Sequence, residues 1–256
     1  FAEQIHEASL ALLEDPGVKI EHDEILRLLV KKGAREGKSA QVVRLSRKMV
    51  EELTALAPRE VVLTNRRGGK TVLTATGESA FWSCPGLMLF RSGESRPFTS
   101  RDMGDMARLL DQLENVQGVF GMAMEDVPPA ARDAVGLRVM AENTSKHVRA
   151  LCFSPDGCDT MVEMKEVVGK HPWFSVGLTA HGPLRWTNLA LEVFKHTAGH
   201  GIPASVNGEP MAGVSGPVTL AGSAAVGNAE MLKGIAVNQV LEPGRPMIYT
   251  LGLAHI

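Results

Sequence analysis

A chain of 256 residues, 44% of them hydrophobic, is long enough to bury a full core. Lys and Arg total 27 against 29 Asp and Glu, a balance that argues against nucleic acid or an anionic membrane as partner. No apolar run approaches the roughly 18 residues of a membrane helix, no signal pattern opens the sequence, and the three cysteines, Cys84, Cys152 and Cys158, suit a reducing compartment, so a cytoplasmic protein is expected.

Helices come first. Ile5, Leu10, Leu12 and Leu13, then Ile25, Leu26, Leu28, Leu29 and Val30, have the spacing of two amphipathic helices parted by Asp15, Pro16 and Gly17. A third is predicted over residues 47–56, closed by Pro58. Between 61 and 76 the pattern changes: VVLT, NRRGGK and TVLTAT spell a hairpin with a glycine-containing turn. Residues 1–95 are therefore expected to form an N-terminal helical and β-hairpin extension.

From Ser100 onward short apolar runs alternate with helical stretches. Strands are predicted at 118–122, 148–153, 174–179, 204–206 and 247–251, with helices at 101–113, 129–142, 159–168, 187–198 and 217–241. Such alternation implies parallel strands with right-handed crossovers. With no phosphate-cradling G-x-G-x-x-G in sight, the expected fold is α/β, a (β/α)8 TIM barrel over residues 96–256. Only five or six of the eight strands can be counted, the sequence begins at Phe1 and it stops just after a strand, so a fragment lacking the C-terminal strands is expected.

The stretch PASVNGEPMAGVSGPVTLAG, residues 203–222, reads as a buried strand that empties polar groups into a helix N-terminus. Asn207, Gly208 and Glu209 follow the apolar strand, and Ser215 stands before Pro217 as an expected N-cap. Parallel α/β folds carry their chemistry at such strand ends. His181 and His255 occupy two more strand ends, and Phe153 a third.

Several segments resemble one family. IHEASLALLEDPGV, SRPFTSRDMGDMARLLDQL, DVPPAARD, ENTSKHV, EPMAGVSGPVTLAG and NAEMLKGIAVNQVLEPGRPMIYT, spread over nearly the whole chain, are similar to the trimethylamine methyltransferase family of corrinoid-dependent enzymes. The resemblance implies transfer of a methyl group from a methylated amine, with a quaternary amine such as glycine betaine favoured, to the cob(I)alamin of a separate corrinoid protein. The cobalt would belong to that partner and this chain would bind no metal. Family members that act on trimethylamine carry pyrrolysine, at a position expected beyond Ile256, so a pyrrolysine-type trimethylamine methyltransferase is the alternative.

A trimethylammonium group has no N–H to donate, so carboxylate charge, aromatic faces and shape must hold it. Glu209 is the expected cation anchor and Phe153 one wall of its cage. For a betaine carboxylate the expected donors are backbone N–H groups around Gly213 and Gly216, together with the Ser215 hydroxyl and the Asn207 amide. His181 and His255 would orient that carboxylate or face the corrinoid. A homo-oligomer is compatible with the sequence.

Zinc chemistry finds no support in the sequence. His196 and His200 stand in HTAGH, which lacks the glutamate of H-E-x-x-H, and Cys152 and Cys158 lack the close spacing of a structural zinc site. Two other classes fit the alternation. A TIM-barrel lyase would show a lysine or paired carboxylates at strand ends, and Glu125 with Asp126 is instead expected in a loop. A noncatalytic betaine-binding protein would need the cation site but no surface for a corrinoid partner.

Overall fold

Side-chain caps set most helix starts in the computed structural model, which describes residues 1–169 and 171–255, the side chain of His255 excepted. His22 accepts the Ile25 N–H, Ser46 that of Met49 and Ser154 that of Gly157, while Thr99 and Asp102 form a reciprocal capping box. Arg96 clamps the same Asp102 carboxylate at 2.6 Å and holds its pKa well below the usual carboxylate range.

The chain divides into two units. One comprises Phe1–Pro58, Leu178–Gly199 and Ala204–Ile256; the other comprises Arg59–Gly177 and His200–Pro203. In the second unit the expected hairpin is present, Val61–Thr64 against Lys70–Leu73, and Met88–Arg91 pairs with Glu94–Pro97 in a further hairpin that the sequence did not announce. Strands Gly118–Phe120, His147–Arg149 and Phe174–Thr179 pair in parallel, with helices Arg132–Asn143 and Pro155–Val168 between them. The last two residues of Phe174–Thr179 belong to the first unit. Parallel strands with intervening helices define an α/β architecture.

In the first unit the helices Ala2–Glu14 and Arg47–Thr54 pack on the long helix Leu220–Leu241, which also contacts the parallel strands Ala204–Gly208 and Met247–Leu251 and the helices Asp23–Lys31 and Asn188–Thr197. That helix is buried on all sides, the pattern of a core helix. Small residues let its neighbours approach: a Cβ at Gly234 would meet the Trp186 ring at 2.5 Å and Val206 at 2.7 Å, and one at Gly227 would meet Leu251 at 2.4 Å. Four short strands, in the order Arg185–Trp186, Val18–Ile20, Val42–Arg44 and Arg35–Glu36, complete this unit. At two or three residues each they are too brief to show an alternating pattern in the sequence.

Several boundaries differ from expectation. The second parallel strand stops at Arg149 and not at residue 153, because the Asp133 carboxylate takes the N–H groups of Phe153 and Ser154 and turns the chain. The following helix consequently starts at Pro155, capped by Ser154. The long helix starts at Leu220 under a Thr219 cap, and Ser215 is no helix cap. Its Oγ instead accepts the Met211 N–H at 3.0 Å, closing a tight turn.

Gly234→Ala should force Trp186 and Val206 apart and cost about 1–3 kcal/mol of unfolding free energy. Urea denaturation of the variant checks this, and an unchanged midpoint would contradict the packing.

Candidate functional site

Three strand-end segments of the first unit meet on one face. After Ala204–Gly208 the chain carries Glu209 and Pro210 into the short strand Met211–Ala212, which pairs in parallel with Ala254–His255 beyond Met247–Leu251. The Gly252 N–H donates to the Gly208 carbonyl at 2.9 Å and the Ala254 N–H to the Pro210 carbonyl at 3.3 Å. A side chain at Gly252 would begin 3.6 Å from the Glu209 Cγ, so glycine leaves room beside that carboxylate. The third segment is the turn 181–185, closed by the His181 N–H on the Arg185 carbonyl, and Gly182 abuts the Ser215 carbonyl.

The structure thus gathers the backbones of His181, Glu209, Gly213, Ser215, Gly216 and His255. Glu209 and His181 are exposed, and Glu209 has no hydrogen-bond or ion-pair partner among the described residues. Met211, Val214 and Leu253 are exposed on the segments that carry Glu209, Ser215 and His255, and Val218 and Leu220 are exposed on the stretch leading from the 211–216 turn into the long helix, so these segments carry an apolar rim. His255 is placed by its backbone opposite Ala212, and its side chain lies outside the described residues. Asn207 is half-buried, and its Oδ1 accepts the Ser205 hydroxyl at 2.6 Å.

The backbone donors of the 211–216 turn are already engaged. The Met211 carbonyl accepts the N–H groups of Val214, Ser215 and Gly216, and the Gly213 N–H goes to the Gly216 carbonyl. Gly213 has φ +81, which glycine adopts freely, and a Cβ at Gly216 would meet the Ser223 hydroxyl at 2.7 Å. These glycines shape the turn and their amides are not open to a ligand. The Ser215 hydroxyl, which accepts from Met211, keeps its own hydrogen to donate.

Beneath this face lie two charged residues that sequence reasoning missed. Glu230 and Lys233, both in the buried middle of Leu220–Leu241, are 1% and 0% exposed. The Glu230 Oε1 accepts the Leu184 N–H at 2.7 Å, and its main-chain carbonyl accepts the Trp186 indole N–H at 3.0 Å. Burial pushes the carboxyl pKa up to about 7, with the Leu184 hydrogen bond opposing the shift. The Lys233 Nζ has no partner among the described residues, and burial alone lowers its pKa well below the ordinary value. A glutamate and a lysine three apart inside an otherwise apolar, glycine-rich helix were the available signal.

Phe153 belongs to the second unit, where it is 41% exposed just past the end of His147–Arg149. Its N–H is held by the Asp133 Oδ2 at 2.8 Å; Asp133 is buried, its Oδ1 lacks a partner among the described residues, and desolvation raises its pKa. Cys152 and Cys158 are buried against each other, and their contact, with burial, raises the Cys152 thiol pKa. The buried Arg149 guanidinium lies 5.2 Å from the Phe120 ring centroid, in cation–π range. Among the described residues no three His, Cys, Asp or Glu side chains gather around a metal position. No described helix is long and apolar enough to cross a membrane.

The family described as Trimethylamine methyltransferase (MTTB) matches residues 2–255. A trimethylamine methyltransferase MttB of Desulfitobacterium hafniense (strain DSM 10664 / DCB-2) is 29% identical over 260 residues, covering 96% of this chain and 52% of that protein. A glycine betaine methyltransferase of Desulfitobacterium hafniense (strain Y51) is 27% identical over 259 residues, covering 96% and 53%. The crystal structure of the Methanosarcina barkeri monomethylamine methyltransferase (MtmB) superposes with a TM-score of 0.68 at 14% identity over 99% of this chain and 53% of that one, a likeness of fold. The chain spans about half the length of these relatives.

Lys233→Met should stabilise the protein by about 1–3 kcal/mol at pH 7, because an apolar side chain of similar length replaces an unpaired buried amine. Between its lowered folded pKa and the ordinary 10.5 the unfolded chain binds more protons at this residue, so wild-type stability climbs with pH. The gain of the variant should therefore shrink toward pH 10.5. Denaturation series across that range read it directly, and equal stability at pH 7 would contradict the burial of a free amine.

Proposed function

The chain belongs to the trimethylamine methyltransferase family, and from that premise we propose that it contributes the strand-end face of a methyltransferase acting on a methylated amine, with a quaternary amine such as glycine betaine as substrate. The observation that carries this reading is the unpaired, exposed Glu209 carboxylate inside an apolar rim at the C-terminal ends of parallel strands. A quaternary ammonium offers charge and methyl surface but no hydrogen-bond donor. An unpaired carboxylate bordered by apolar side chains matches both properties.

In this reading Glu209 fixes the cationic nitrogen, while Met211, Val214 and Leu253 cover the methyl groups and exclude water, leaving one methyl carbon facing outward. The Ser215 hydroxyl and the imidazoles of His181 and His255 are proposed to orient a substrate carboxylate, with the Asn207 amide behind them. Gly213 and Gly216 serve by holding the turn in shape. Phe153 lies in the other unit and is no part of this proposed face. A corrinoid carried by a separate protein supplies the cobalt nucleophile that accepts the methyl group as the N–CH3 bond breaks. Loss of methyl from a quaternary nitrogen releases a neutral tertiary amine, so no proton donor is required, and this chain works by positioning and desolvation.

We further propose that the parallel strands are part of an eight-stranded (β/α)8 barrel and that residues 1–95 are its N-terminal extension. The apolar rim gives a partner protein a surface to seal against, and a cytoplasmic setting suits the free cysteines.

The test is methyl transfer to cob(I)alamin by the full-length protein, followed by the colour change to methylcobalamin, with glycine betaine and trimethylamine offered separately. Transfer from glycine betaine supports the reading; transfer from trimethylamine alone would replace the substrate, and transfer from neither would remove the enzyme. Glu209→Gln should raise the KM for the quaternary amine by about ten- to a hundred-fold. An unchanged KM would leave Glu209 outside the site.

A further inference from the structure

Leu184 carries a left-handed backbone, φ +52, which a non-glycine residue adopts only when its surroundings hold it there. The turn it closes presents His181 to the strand-end face and touches the Ser215 carbonyl through Gly182. Among the described residues the Glu230 side chain of the long helix engages the Leu184 N–H of this turn, while the Leu184 carbonyl accepts the Lys19 N–H at 2.9 Å. The Glu230 Oε1 accepts the Leu184 N–H at 2.7 Å, and a Cβ built on Gly182 would stand 2.8 Å from the same oxygen, so the turn is seated directly on the carboxyl group. A second bond, from the Trp186 indole to the Glu230 carbonyl at 3.0 Å, registers the helix against the strand that follows the turn.

We infer that Glu230 is a positioning residue for substrate recognition: its buried carboxyl oxygen locks the 181–185 turn and so fixes where His181 stands on the strand-end face. A carboxyl group buried 1% exposed in a core helix, with the Leu184 amide as its hydrogen-bond donor, is costly to keep for packing alone, and an apolar residue would fill the same space. Its retention buried mid-helix is explained by the acceptor it supplies to an amide whose backbone cannot relax alone. The raised carboxyl pKa does not undo this, since a protonated carboxyl keeps a carbonyl acceptor for the amide. The inference rests on the proposed substrate face, because it gives the turn its purpose.

The test uses the full-length protein with Glu230→Met, which fills the volume without an acceptor, and Glu230→Gln, which retains one. Amide hydrogen exchange at Leu184 should accelerate at least about tenfold in the Met variant and stay near wild type in the Gln variant, while exchange in Leu220–Leu241 is unchanged in both. In methyl transfer the Met variant should show a KM for the amine raised about tenfold with kcat changed far less, and the Gln variant should restore it. Unaltered Leu184 exchange in the Met variant, or equal impairment of both variants, overturns the inference. Wild-type protein that transfers methyl from no amine defeats the proposed function instead, and the exchange result still decides whether Glu230 holds the turn.

Discussion

The first unit depends on one constraint: the helix Leu220–Leu241 must be covered on every side. A helix with no polar face cannot rest on a surface. The N-terminal helices Ala2–Glu14 and Arg47–Thr54 cover one flank, while the parallel strands Ala204–Gly208 and Met247–Leu251 meet another. Glycines at 227 and 234 set how closely Leu251, Trp186 and Val206 can approach, and the ends of the two strands are thereby fixed. The Glu209 and 252–255 segments of the strand-end face hang from those two strands.

That constraint gives the two buried charges of the helix their meaning. A charged group in such surroundings loses hydration worth several kcal/mol, so each must take its neutral form or find a partner. Glu230 does so through the Leu184 amide, whereas Lys233 has no partner among the described residues and shifts its proton affinity instead. The same helix therefore joins the core to the face above it. Through Glu230 the helix reaches the turn that carries His181, and through Ser223, whose hydroxyl donates to the Pro217 carbonyl at 2.7 Å, it reaches the loop that carries Ser215.

Much of the architecture was legible in the sequence because its signals are local. The apolar spacing of Ile25 and Leu29, the NRRGG turn and the alternation after Ser100 each report on a few neighbouring residues, and the corresponding helices, hairpin and parallel strands are present. What was not legible depends on contacts distant in sequence. Asp133 ends a strand sixteen residues downstream of itself, and Ser215 is drawn back to Met211 instead of forward to the helix. The backbone donors expected around Gly213 and Gly216 are spent inside that turn, a fact that depends on backbone geometry and not on residue type. Several segments that carry the family resemblance turn out to be joints: Thr99 with Asp102 opens a helix, Asp133 ends a strand, and Thr144 with Ser145 binds Asp111.

In the proposed reading a quaternary nitrogen rests on the face bearing Glu209. A crystal structure of the full-length protein with bound glycine betaine tests it most directly. The trimethylammonium group is expected within about 6 Å of the Glu209 carboxylate, its methyl groups against the apolar rim and its carboxylate toward the His181 turn. Glycine betaine bound elsewhere, with Glu209 still facing solvent, would contradict it.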